Sequence, residues 1–458
     1  MRSTRSVIVI GGGISGLAAA WQLRGRADVT VLESEARIGG KLRTGTLAGV
    51  PVDEGAESVM ALRPEAVDLA TAVGLGPALA EPAPAPVTVW TRGALRAMPA
   101  GHVLGIPSDP AALAGTGLLS DEGLARLRAE PEQPAVPLTE DIAVCDYLTG
   151  RIGREAVDRL VEPLLGGVYA GRTDRLSLRS AMPGVARIAE RGEPLLAALR
   201  GRPRPRGSFV RGIEGGTGRL PLAVAEASGA RVLTGTTVRA LERTPSGNWR
   251  VQATTADGPL LLSADAVILA VPAFAAATLL RPYAPDAHLG LSAIPYASTA
   301  VVTMGFARER AGLAGPAAGN GFLVPPVDGH TVKAATFLSN KWGWQAAAAP
   351  GHFILRASVG RAGEEHLLER PDRHLVRAAL NDLHHAVGPI GEPVAARVTR
   401  WERGLPQYTV GHAERMARVR EDIARLPGLA VCGAAYEGVG IAACVATGLA
   451  AALKVTEG

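Results

Sequence analysis

The chain has 458 residues and a mass of 47.2 kDa, which at roughly 100–200 residues per domain allows two or three domains with full-sized cores. Glycine and proline together supply 89 residues, about 19%, and 47% of the chain is hydrophobic, which excludes the low-complexity, disordered and fibrous classes. The net charge is +5, but the arginines are scattered without interleaved aromatics, so nucleic acid is not an expected partner.

Arg2 and Arg5 ahead of apolar Val7 to Leu23 imitate a signal peptide, yet Gly11, Gly12, Gly13 and Gly16 break that run at a spacing with a better use. Val7 to Ile10 is a β-branched run, as expected of a parallel strand covered on both faces. Gly11, Gly13 and Gly16 follow in GxGxxG spacing around Ile14 and Ser15; Leu17 to Arg24 reads as a helix, and Val29 to Leu32 as a second strand ending in Glu33. The first glycine permits a tight turn, the second lets the backbone approach a pyrophosphate, and the third packs helix on strand. The helix N-terminus then offers free N–H groups and its positive end to the phosphates. Glu33 is placed to accept from ribose hydroxyls and would repel a 2′-phosphate, so the spacing predicts FAD or NAD rather than NADP. A lone GxGxxG is weak; strand, helix, second strand and terminal acid in register make it specific.

Glu33 to Thr44 (ESEARIGGKLRT) resembles the extended dinucleotide motif of the flavin amine oxidase superfamily, in which an arginine and a glycine pair help hold the FAD diphosphate. The resemblance implies FAD, bound non-covalently, with Ser34, Arg37, Gly40 and Lys41 at the cofactor. Asp53 to Ser58 (DEGAES) is similar to that superfamily's next segment, which implies Gly55, Ala56, Glu57 and Ser58 along the ribityl chain and flavin ring.

Further along, Glu81 to Pro86 reads as a crossover, and residues 109–200 as helices interrupted by a loop at Glu130 to Pro134. Arg202 to Arg206 (RPRPR) reads as an exposed polyproline-type loop, with a basic ligand grip as the alternative. Arg231 to Val238, Ala266 to Pro272 and Ser298 to Phe306 read as strands. Gly428 to Val455 returns as strand, glycine turn and helix. Within it, Gly438 to Leu453 is too short and too rich in Gly and Ala for a membrane span and is expected to be a buried helix.

Val161 to Gly171 (VEPLLGGVYAG) with Leu176 to Leu178, and Arg400 to His412 (RWERGLPQYTVGH) continuing to Val431 to Ile441, are similar to stretches of the bacterial porphyrinogen oxidases of haem synthesis. The resemblance covers nearly the whole chain, with two departures: Arg172 stands where an acid commonly follows VYAG, and Ala442-Ala443 where Pro-Asp is usual. It implies a Rossmann-like α/β FAD-binding domain, discontinuous over 1–76, 207–280 and 395–458. A mixed α+β substrate domain (77–108 and 281–394) and a helical subdomain (109–206) complete the expected architecture. It further implies oxidation of a porphyrinogen by oxygen, with coproporphyrinogen III favoured over protoporphyrinogen IX. Val238 would lie on the adenine side, Trp401, Val439, Gly440 and Ile441 beside the flavin, and the backbone of Gly167 near the substrate. Arg92 and Arg96 are candidate partners for substrate carboxylates, a solvated strand arginine being the alternative for each. His102, His352 and His412 receive no catalytic role, and Cys432 and Cys444 read as packing residues. No metal-ligand spacing is present, and Cys145, Cys432 and Cys444 cannot form a disulfide framework, which points to the cytoplasm. Peripheral membrane contact and association with later haem-synthesis enzymes are left open.

Overall fold

The computed structural model describes residues 5–201, 207–313 and 319–456; Arg202 to Arg206 lie outside the described residues. Strand Arg5–Ile10 sits at the centre of a five-stranded parallel sheet, with Ala27–Leu32 and then Arg231–Leu233 on one side, and Ala266–Leu269 and then Leu429–Val431 on the other. Val7 and Val9 point to one face, against helices Ile14–Leu23, Arg219–Ser228 and Ile441–Thr456. Ile8 and Ile10 point to the other, against helices Ala273–Leu280, Pro285–Ser292 and His412–Ala424. A strand covered on both faces needs no polar alternation, which is why VIVI is apolar throughout.

Small residues let the helices on the first face touch through their backbones. A Cβ on Gly16 would overlap the carbonyl oxygen of Gly11 and stand 3.0 Å from Ala270 Cβ. A Cβ on Gly448 would overlap the carbonyl oxygen of Ser15, so the C-terminal helix lies directly on the first one. Among the described residues no helix is long and apolar enough to cross a membrane.

Arg231 to Val238, expected as one strand, is two. Gly235 takes φ +61°, and the N–H groups of Gly235 and Thr236 donate to the carbonyls of Glu35 and Glu33, both at 2.8 Å. Those bonds turn the chain out of the parallel sheet at Leu233 and into an antiparallel meander that begins at Thr237–Arg243.

A second sheet of seven strands runs in the order Ala395–Pro406, Tyr296–Ala307, His352–Val359, Val332–Thr336, Gly321–Leu323, Thr88–Thr91, Ala94–Ala97. One face is apolar, with Val302, Met304, Phe306 and Leu355 packed against helix Asp372–Val387. The other face carries Thr299, Thr303, Arg356, Arg397 and Trp401 toward the segment Glu54–Glu57. The boundary placed at residue 395 is therefore corrected: Ala395–Pro406 hydrogen-bonds along Tyr296–Ala307, because its alternating side chains fit this two-faced sheet.

Beside the seven-stranded sheet, residues 121–200 form short helices around Leu148, Leu160, Val161 and Leu196. Glu130, read as the start of a loop, is fully buried and is their hub. Its carboxylate is ion-paired with Arg151 and accepts from the N–H groups of Leu195 at 2.8 Å and Leu196 at 3.0 Å. A buried carboxylate persists only when paired and hydrogen-bonded in this way.

Candidate functional site

The first glycine turn and the second motif form one structure. Gly39 N–H donates to the Gly12 carbonyl at 2.8 Å, and Gly13 and Gly39 pair as an isolated parallel bridge. Glu33 is held by the turn it serves, its Oε2 accepting from Gly12 N–H and its Oε1 from Glu35 N–H, both at 2.8 Å. The Ser34 hydroxyl donates to the same carboxylate at 3.2 Å. The Arg37 guanidinium donates to the carbonyls of Ile38 at 3.1 Å and Gly40 at 2.8 Å, which fixes its plane; burial, then the neighbouring Arg43, lowers its pKa.

The chain leaves a cradle here. A Cβ built on Gly13 would meet no atom within 4 Å, and the same holds at Gly440. Gly13 caps the helix Ile14–Leu23 without any side-chain bond, so the first-turn N–H groups lack a capping oxygen. Gly440 and Ile441 start the C-terminal helix close by, with Gly433 placed 3.9 Å from Ser15 Oγ by its built Cβ. Lys41 has no ion-pair partner among the described residues, and burial lowers its pKa. Open space bounded by two helix N-termini and an unpaired ammonium fits an anionic diphosphate.

The segment Glu54–Ser58 is strapped across the polar face of the seven-stranded sheet. Glu54, 1% exposed as a side chain, pairs with Arg43 and Arg397, and Trp401 Nε1 donates to its carbonyl at 2.7 Å. A Cβ on Gly55 would overlap the Lys41 carbonyl oxygen and stand 3.2 Å from the Trp401 ring, so only glycine allows this approach. Arg356 Nη1 donates to the Gly55 carbonyl at 2.7 Å and its Nε lies 3.4 Å from Glu57, which also pairs with Lys341. Burial pushes the Glu57 carboxyl up, but Arg356 and Lys341 outweigh it and hold the group below the usual range. The Glu57 carboxylate thus positions the segment, and Ala56 accepts at its carbonyl from the Thr217 hydroxyl at 2.7 Å.

The turn before the C-terminal helix is held by Tyr408. Its hydroxyl donates to the Ala434 carbonyl at 2.6 Å and accepts from Gly438 N–H at 2.8 Å, just ahead of Val439. His412 stacks on that ring at 4.0 Å, and burial brings its pKa down to about 4, so the imidazole is neutral. Gly167 lies in helix Glu162–Tyr169 and faces the seven-stranded sheet, 3.8 Å from Leu323 by its built Cβ. Val238 opens the meander after the Gly235 bend and packs against the core that contains Ile10 and Leu32. Arg92 and Arg96 are engaged within the protein: Arg92 is ion-paired with Glu155, and Arg96 donates to the Thr116 carbonyl at 3.0 Å. Arg356, Lys341 and Tyr408 were not singled out in the sequence, because their partners are separated from them by 26 residues or more.

A sequence profile described as flavin containing amine oxidoreductase matches residues 14–456. The chain belongs to this family. Within it, the chain is 33% identical to the coproporphyrinogen III oxidase of Bacillus subtilis (strain 168), over 98% of this chain and 97% of that one. It is 36% identical to the coproporphyrinogen III oxidase of Mycobacterium tuberculosis (strain ATCC 25618 / H37Rv), over 99% and 98%. A crystal structure from Exiguobacterium sp. 255-15, assigned as a protoporphyrinogen oxidase, superposes with a TM-score of 0.86 at 32% identity and 99% coverage of both chains. Putrescine oxidase shares the fold at 18% identity, with a TM-score of 0.73. Members of the family work through a flavin, and the open space at Gly13 and Gly440 fits the diphosphate of one.

Proposed function

We propose that this chain binds FAD non-covalently and oxidises coproporphyrinogen III to coproporphyrin III, with oxygen as the final acceptor and hydrogen peroxide as the second product. The observation that carries the reading is full-length similarity to coproporphyrinogen III oxidases at 33–36% identity. Gly11 to Gly16 with Arg37, Gly40 and Lys41 hold the diphosphate, Glu33 and Ser34 the ribose, and Val238 the adenine side. Gly55 to Ser58, Trp401 and Val439 to Ile441 border the flavin. Bound flavin supplies a two-electron acceptor, so the six-electron oxidation takes three rounds, and the protein's part is to bind, orient and take up protons. Buried Cys432 and Cys444 have thiol pKa values raised by burial and are poor nucleophiles, which supports a flavin without a covalent link.

The substrate's four propionates favour a protein whose cations are almost all arginine, with only Lys41, Lys333, Lys341 and Lys454 as exceptions. Desolvating two further carboxylates without partners costs several kcal/mol each, so a site built for the dicarboxylate rejects the tetracarboxylate. The test compares kcat/KM for the two porphyrinogens by porphyrin fluorescence, with oxygen and peroxide followed in parallel. A clear preference for coproporphyrinogen III with three peroxides per porphyrin is expected. Equal values, or preference for protoporphyrinogen IX, overturn the substrate assignment; acid precipitation that leaves flavin on the protein overturns the non-covalent one.

A further inference from the structure

On the porphyrinogen-oxidase reading above, each round must also remove a proton from the macrocycle, and we propose that the Nζ of Lys333 accepts it. Lys333 lies in strand Val332–Thr336 and is only 6% exposed. Its Nζ has two hydrogen-bond partners, Thr299 Oγ1 at 3.0 Å and the Gly360 carbonyl at 2.7 Å. The Thr299 hydroxyl spends its own proton on the Val359 carbonyl at 2.9 Å, so toward Lys333 it can only accept. Two acceptors satisfy both N–H groups of a neutral amine and leave its lone pair free; the third N–H of an ammonium has no acceptor among the described residues.

The position suits the task. Thr299 stands directly opposite Trp401 on the neighbouring strand, so Nζ shares the sheet face that receives Glu54 and Gly55. On its other side, Gly360 leads into Ala362, whose N–H donates to the Ala170 carbonyl at 2.8 Å, at the end of the helix that carries Gly167. The amine therefore stands between the segment that borders the flavin and the helix proposed to border the substrate.

The surrounding charges are committed elsewhere. On the adjoining loop, Arg361 lies 3.5 Å from Glu364 and donates to the Val324 carbonyl at 3.1 Å. Glu162, on the helix above, accepts from Thr173 N–H at 3.0 Å. On the same sheet face Arg356 and Arg397 are held by Glu57 and Glu54, and toward the helix Asp372–Val387 His330 lies 3.7 Å from Asp382. No carboxylate forms an ion pair with Lys333 among the described residues, whereas Lys341 is paired with Glu57. Burial, reinforced by Arg361 and opposed by Glu364, lowers the Lys333 pKa to about 7. An unpaired buried amine is costly for folding alone, and its pKa matches that of a general base at neutral pH.

In each round the substrate loses a hydride equivalent, for which the bound flavin is the acceptor, and one proton. In two of the rounds a pyrrole N–H bond breaks and its electron pair becomes part of a C=N bond. In the remaining round the proton leaves the fourth bridging carbon and its C–H pair becomes part of a C=C bond. Four C–H and two N–H hydrogens are lost in all, and each proton joins the Nζ lone pair to give an ammonium. Water takes that proton before the next round.

The test uses flavin-loaded Lys333→Met and Lys333→Arg, with Lys333→Gln as a second neutral variant in case the methionine unfolds. Wild-type kcat/KM for coproporphyrinogen III is expected to rise through a limb near pH 7 to a plateau. All variants should fall about 100-fold or more at pH 8 and lose the limb, while flavin absorbance and coproporphyrin affinity stay unchanged. Arginine keeps the charge but cannot become neutral, so an active Lys333→Arg enzyme overturns proton acceptance in favour of a charge role. A neutral variant within threefold of wild type, or one that keeps the limb, also overturns it. Independently of turnover, the unfolding midpoint of the flavin-free protein should rise between pH 7 and 10 in wild type, with this component missing in Lys333→Met. Wild-type protein that oxidises no porphyrinogen removes the underlying reading, and this assignment with it.

Discussion

The two glycines of the first turn that separate folding from cofactor binding are Gly13 and Gly16. At Gly16 an added methyl overlaps the Gly11 carbonyl oxygen and stands 3.0 Å from Ala270 Cβ and 3.1 Å from Val9 Cγ1, so the helix must move off the sheet. Such overpacking costs about 1–3 kcal/mol of stability. At Gly13 the methyl meets nothing, and φ −73°, ψ 172° is open to alanine. Gly13→Ala should therefore cost the flavin-free protein less than about 1 kcal/mol, the difference between glycine and alanine at a helix N-cap. The same methyl occupies the space proposed for the diphosphate. Losing one charge-assisted N–H bond there removes about 1.5–3 kcal/mol, or roughly 10- to 150-fold in affinity. Urea unfolding of flavin-free protein and FAD titration by flavin fluorescence measure the two quantities separately. Wild-type FAD affinity in Gly13→Ala, or equal destabilisation by the two substitutions, would refute the cradle.

Glu33→Arg reverses the charge beside the ribose and removes the acceptor of Gly12 N–H, so FAD affinity should fall at least tenfold; unchanged affinity on reconstitution takes Glu33 out of the site. Glu57→Gln leaves Lys341 and Arg356 facing each other without their buried counter-charge, and should cost about 3 kcal/mol by urea unfolding, with less than 1 kcal/mol contradicting the strap. For Lys333 the folded pKa of about 7 lies below the ordinary 10.5, so the unfolded chain binds more protons between those values and stability rises with pH across that window. Lys333→Met should accordingly flatten that rise; a variant that keeps the wild-type slope counts against the buried amine.

Local pattern was enough for the nucleotide fold. Val7 to Glu33 contains its strand, turn, helix and second strand within one short stretch, and the turn is closed by bonds made within or next to that stretch, from Gly12 N–H to Glu33 and from Gly39 N–H to the Gly12 carbonyl. The apolar strands Ala266–Leu269 and Tyr296–Ala307 and the Gly- and Ala-rich last helix were legible for the same reason: burial on a fixed period leaves a mark in composition. Periodicity names the face of a strand but not its neighbour, and the pairing of Ala395–Pro406 with Tyr296–Ala307 could not be read from either segment. Which charges meet was equally hidden. Glu57 finds Lys341 284 residues away, Gly55 finds Arg356 301 residues away, and Lys333 finds Gly360 at the end of the adjoining strand and Thr299 across it. A side chain's electrostatic environment is set by groups brought within a few ångströms of it, and for these residues only the strand pairing of the seven-stranded sheet and the segment Glu54–Glu57 laid across it bring them there.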